Sequence, residues 1–152
     1  MSYNDLLAAK AIRSHGLPPN GLRGAALEML SLVERHLADS EADVISCDAR
    51  HNLAYAAARV AAEVVMFTEG FRPDRGAGSH AVVFAFLREV EGGRWRTEAV
   101  YFDRARKKRN LSEYEKTGLV TELEADELRE QARTFSDQVR EWVRQRHPDW
   151  PL

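Results

Sequence analysis

Five of the six residues from Arg104 to Arg109 are cationic, Asn110 follows at once, and Tyr114 stands five positions after Arg109. A guanidinium is a planar donor that can grip a phosphate through two parallel hydrogen bonds, whereas Lys107 and Lys108 supply compact point charges. The phenol of Tyr114 can donate a hydrogen bond or stack on a base. The same residues also suit a plain structural reading. Arg109 shares a predicted helical face with Phe102, Ala105 and Arg106, so it could turn inward to acidic or backbone partners, with Tyr114 as packing and Lys107 and Lys108 as a solvated face. His80, just after Ser79 at a predicted helix start, is placed to meet an anion or a neighbouring loop.

Other chemistry is not signalled. His15, His36, His51 and His147 are scattered without metal-ligand spacing, and His36 reads as a half-buried packing residue at a helix edge. There is no His-Glu-x-x-His zinc helix, no phosphate loop ending in Gly-Lys-Ser/Thr and no Gly-x-Ser-x-Gly elbow. No metal or cofactor is expected. Gly76-Ala77-Gly78 reads as a connector rather than a phosphate cradle, because the flanking strand and helix signals are missing. Cys47 is the sole cysteine, so an internal disulfide is impossible, and it reads as a small buried hydrophobe.

The elements that must position these residues read as helices. A short one is predicted over residues 4–14, ended by His15-Gly16-Leu17-Pro18-Pro19, with a turn over Pro18-Pro19-Asn20-Gly21. Leu22, Ala25, Ala26, Met29, Leu30, Val33 and Leu37 follow one face of the next. Ser46 is placed to cap a third, striped by Ala49, Leu53, Ala56, Val60, Val64 and Phe67 and rich in alanines that admit close neighbours. Gly70 should stop it, with residues 71–78 as a loop. Residues 79–102 suit either a β-hairpin or two helices flanking Gly92-Gly93, and the helical reading agrees with the rest. Thr121 and Glu124 form a capping box before a heptad-like seam of Leu128, Ala132, Phe135, Val139 and Trp142, which would pack within the chain or at a dimer seam. An irregular tail with Pro148, Trp150 and Pro151 follows. The expected fold is all-α, an antiparallel bundle of four main helices with a short extra one, in a single domain whose core runs over about 22–147.

At 152 residues, 44% hydrophobic and 30% charged, the composition is that of a globular chain able to bury its own core. No apolar run approaches a membrane helix, and the first residues lack a signal-peptide pattern, so a cytoplasmic location is expected. The net charge of −2 excludes indiscriminate coating of nucleic acid, but it is unevenly spread. Residues 94–109 carry seven Lys/Arg against two Asp/Glu, and 113–130 carry two against seven. Such blocks can pair within one molecule, between two copies or with separate partners.

The run Arg109, Asn110, Leu111, Ser112, Glu113, Tyr114, with the basic residues before it and the Phe71-Arg72-Pro73 turn after the alanine-rich helix, resembles the HEPN superfamily, most of all a bacterial, actinobacterial-type branch. The resemblance implies a four- to five-helix bundle over about 22–143 and a homodimer. In catalytic members an Arg and a His at the ends of this motif cleave RNA without metal. Here Tyr114 takes the place of the His, and a phenol with a pKa of about 10 is a far weaker base at neutral pH than an imidazole near 6.5. The resemblance therefore implies a binding or interaction module with Arg109, Asn110, Tyr114, Arg106, Lys107, Lys108 and His80 as ligand contacts. Its ligand would be RNA, a nucleotide or a nucleotidyltransferase-type partner protein. The alternatives are a toxin-type endoribonuclease using Arg109 and Tyr114, and a purely structural partner of another protein.

Overall fold

The computed structural model describes residues 2–74, 79–114 and 119–152, and for 111–114 the backbone alone. The described residues form six α-helices and one two-stranded sheet, so the fold is all-α as expected. None of the helices is long and apolar enough to cross a membrane.

The centre is α3 (Cys47–Thr68), which Ser46 opens by accepting a hydrogen bond from the Ala49 amide at 3.0 Å. Ala54, Ala57, Ala58, Ala61 and Ala62 are all fully buried, and their small side chains let α2 (Pro19–Ser40), α4 (Ser79–Leu87), α5 (Arg96–Tyr114) and α6 (Glu122–Arg146) close in around one helix. This burial is broader than the stripe read from the sequence. Val60 and Val64 are buried, but Ala49, Leu53, Ala56 and Phe67 are only half covered. Cys47, expected inside, is also half-buried. On α2, Ala26, Leu30, Val33 and Leu37 face the core as their spacing requires. That helix begins three residues earlier than expected. Pro19 starts it because a proline has a helix-ready φ and lacks only an amide that a first turn leaves unbonded anyway.

The N-terminal segment departs most from expectation. Helix α1 (Tyr3–Ala8) is opened by a Ser2–Asp5 capping box and ends just before Lys10 enters the left-handed region at φ 54°. Ile12–Ser14 is then a strand, β1, paired antiparallel with β2 (Phe71–Pro73) in the register Ile12 to Pro73. Ala11 and Ile12 sit at helical spacing, yet Ile12 is buried from a strand. The segment expected as a loop after Gly70 supplies the partner. His15 ties the junction to the end of α3. Its Nδ1 accepts from the Leu17 amide at 2.9 Å, so its Nε2 carries the proton and donates to the Phe67 carbonyl at 2.8 Å. The connector residues 76–78 lie outside the described residues.

No hairpin forms between α4 and α5. A 3₁₀ turn over Val90–Gly92 reverses the chain, with Glu91 at φ 47°, Gly92 at 68° and Gly93 at 107°. Two glycines adopt such angles without penalty, but Glu91 does not. Its carboxylate is held in return: Trp142 Nε1 donates to it at 2.9 Å, Arg146 at 3.0 Å and Arg94 at 3.1 Å. Arg146 also pairs with Glu69 at 2.7 Å. Helix α6 opens with the expected Thr121–Glu124 capping box. All five seam residues, from Leu128 to Trp142, are buried, and the helix packs on α3 of its own chain. Trp95 stands edge-on to both Phe135 and Trp142. The tail returns to the core, with Trp150 buried and stacked on His147 at 3.9 Å.

Candidate functional site

On one side of α3, His51, Tyr55, Arg59 and Glu63 recur every fourth residue among the alanines. Positions four apart lie one turn above another, so they form a polar line along a helix that is mostly apolar from Leu53 onward. Tyr55 is only 1% exposed. Its hydroxyl lies 3.2 Å from Nδ1 of His80, brought in by the first turn of α4, and its ring meets Phe84 of the same helix. From α5, the Arg109 guanidinium lies over the Tyr55 ring at 5.4 Å, a cation–π contact. Arg59 pairs with Glu63 one turn further along α3, and Arg106 pairs with Asp103 at 2.8 Å.

Burial, more than the neighbouring charges, sets the protonation states. Burial holds the His80 imidazole down to a pKa of about 4, with the positive fields of Arg59, Arg109 and Arg106 acting in the same sense. Burial pushes Tyr55 up to about 12, so the phenol keeps its proton. With the phenol protonated and the imidazole neutral, this contact holds either the Tyr55 O–H donating to Nδ1 or an Nδ1–H donating to the phenol oxygen. Where Tyr55 is the donor, the neutral imidazole carries its own proton on Nε2, and the half-exposed His80 keeps a donor for another group. Burial raises Glu63 against the pull of Arg59. Further toward the start of α3, His51 is 3% exposed and its Nδ1 meets no hydrogen-bond partner. Burial lowers its pKa against the opposing fields of Glu124 and Asp48, and Lys108 and Arg109 lower it further.

Of the residues singled out from the sequence, Arg106, Arg109 and His80 are therefore brought to one cluster. The rest of the basic run diverges. Lys107 is 66% exposed and shares Asp103 with Arg106 at 3.5 Å. Lys108 turns to α6, 3.5 Å from Glu124, and lines a cleft of about 330 Å³ with Tyr101, Arg104, Ala105 and Glu127. Here the basic and acidic blocks meet within one molecule, and the acidic block is also met from α3, where Arg50 reaches Asp126 at 3.2 Å. Asn110 is half-buried on α5. Tyr114 is the last residue of that helix, and its side chain lies outside the described residues. Sequence reasoning missed Tyr55, Arg59 and Glu63. Their four-residue recurrence across an alanine-rich helix was the available signal.

Arg59 is paired with Glu63 and Arg106 with Asp103, and the Arg109 guanidinium lies over Tyr55, with His80 neutral. The guanidiniums are hydrogen-bond donors in a half-buried setting, where charge-assisted bonds to an oxyanion are stronger than in bulk water. Among the described residues no group of three or more His, Cys, Asp or Glu side chains could hold a metal ion. Comparison of the chain with protein-family models, with curated proteins and with solved structures returned no match.

Proposed function

We propose that the chain is a HEPN-like helical bundle that works as a homodimeric binding module, with RNA as the ligand of the α3–α4–α5 cluster. The observation that carries this reading is the placement of Arg109 and Arg106 beside the Tyr55–His80 pair, under one shared positive field. Guanidiniums and an imidazole N–H suit phosphate oxygens, and the half-exposed edge of the cluster leaves a path for a strand. A nucleotide, or a nucleotidyltransferase-type partner presenting one, offers the same group. The reading places the protein in the cytoplasm, where RNA is met and the single Cys47 stays a thiol.

Binding fits this chemistry better than cleavage by a toxin-type endoribonuclease. A general base must give up its proton near neutral pH, and a phenol, the group at Tyr114 where the catalytic members carry His, ordinarily does so only at about pH 10. Filter binding of single-stranded RNA at low salt tests the proposal. Arg109→Ala should weaken the complex by about 10- to 100-fold, the loss expected for a charged hydrogen-bonding group. An unchanged affinity would remove RNA from the reading. Degradation of total RNA by the wild-type protein, abolished by Tyr114→Phe, would favour the enzyme instead.

A further inference from the structure

We infer that Tyr55 is a positioning residue for this site, fixing His80 as an Nε2–H donor, and that the group received there is an acceptor-only oxyanion, a phosphate oxygen. The inference rests on the reading of the cluster as an RNA-phosphate site and adds which atoms select the ligand.

Tyr55 is too deeply buried to touch a ligand itself. It is held by the Phe84 ring at 6.1 Å on one hand and by the Arg109 guanidinium on the other, so its hydroxyl has a fixed place beside His80. That hydroxyl removes the imidazole's only acceptor from use. Arg59, Arg106 and Arg109 have no acceptor atoms at all. Among the described residues, the side-chain acceptors placed at the cluster are the carboxylates of Glu63 and Asp103. The first is engaged by Arg59, and the second by both Arg106 and Lys107. An incoming group must therefore bring acceptors. A phosphate oxygen does so and a ligand edge made of N–H or O–H donors does not, which is discrimination by unpaired groups rather than by shape.

The full chain, ¹⁵N-labelled at histidine, tests this by its ring-nitrogen spectrum with inorganic phosphate, AMP and adenosine as probes. His80 should show the Nε2–H tautomer and no titration between pH 8 and 5. Phosphate and AMP should shift its Nε2 signal, and adenosine should not. Tyr55→Phe keeps the ring and its packing, with a thermal melt as the check on folding. It should mix the two tautomers and weaken phosphate and AMP binding about threefold to tenfold, the worth of one neutral hydrogen bond. In His80→Gln the side-chain amide supplies a donor with no tautomer to choose, so adding Tyr55→Phe to it should cost nothing more. An Nδ1–H tautomer in the wild type, an unaltered phosphate affinity in Tyr55→Phe, or adenosine binding as well as AMP would overturn the inference. RNA binding indifferent to Arg109→Ala, with the Nε2–H tautomer and the phosphate response intact, would instead sink the RNA reading and leave the donor site standing.

Discussion

Trp142→Ala is expected to lower the unfolding free energy by about 3–5 kcal/mol, the range for emptying a buried tryptophan site, and the melting temperature by roughly 10 °C. The indole is 2% exposed and joins three structural elements. It meets the edge of Trp95 at 5.4 Å, lies under the Arg146 guanidinium at 4.3 Å and donates its N–H to Glu91. Its loss opens a cavity beside the left-handed Glu91 and removes the foremost of the hydrogen bonds that hold that carboxylate below its usual pKa. Trp142→Phe separates the two contributions. It keeps much of the packing and loses only the N–H, while Arg94 and Arg146 still satisfy Glu91, so it should cost about 1–3 kcal/mol. Urea denaturation of both variants decides the matter. Equal losses would mean that the hydrogen bond, not the packed ring, carries the stability.

Acid should destabilise the protein well above the range in which its ordinary carboxylates titrate. His80 is neutral in the fold down to about pH 4, whereas in the unfolded chain it takes up a proton near pH 6.5. Between these values the unfolded state binds more protons, so stability is fully present above about pH 6.5 and is lost progressively as the pH falls toward 4. The half-exposed ring is screened by water, which reduces the effect to about 1–2 kcal/mol. His51, fully buried and also shifted downward, acts with the same sign. Urea midpoints measured at pH 7.5 and pH 5 should differ clearly in the wild type. In a His51→Gln/His80→Gln double variant the difference should shrink, because the two imidazoles held neutral beside α3 are gone while His15, His36 and His147 remain. An equal pH dependence in the two proteins would show that neither histidine governs the response.

The helices that announced themselves did so through local chemistry. Ser46 and the Thr121–Glu124 pair cap the first turns of α3 and α6, and the alternation of four and three from Leu128 to Trp142 needs no knowledge of the remainder of the chain. The strands were invisible for the opposite reason. Nothing near Ile12–Ser14 specifies Phe71–Pro73, and Ala11 and Ile12 fit a helix equally well until the partner is known. The helix-break-helix over 79–114 was legible from Gly92-Gly93, but the price of putting Glu91 at positive φ, a carboxylate clamped from α6, was not. At the site, Arg106, Arg109 and His80 stood out by type. Their common focus did not, because Tyr55 comes from another helix and had been hidden among alanines read purely as packing. Lys107 and Lys108 show the reverse. Adjacent in sequence to Arg106 and Arg109, they are turned by the helical period to solvent and to α6.

The small sheet also bears on the order in which the molecule assembles. The ladder between β1 and β2 closes a loop that contains all of α2 and α3, whereas α2 and α3 follow one another across a few residues and pack side by side. Closing a long loop costs chain entropy before any contact repays it, while a helical hairpin forms from neighbours in sequence. The α2–α3 pair is thus suited to be an early nucleus, and the His15 clasp on Phe67 to be among the last joints made.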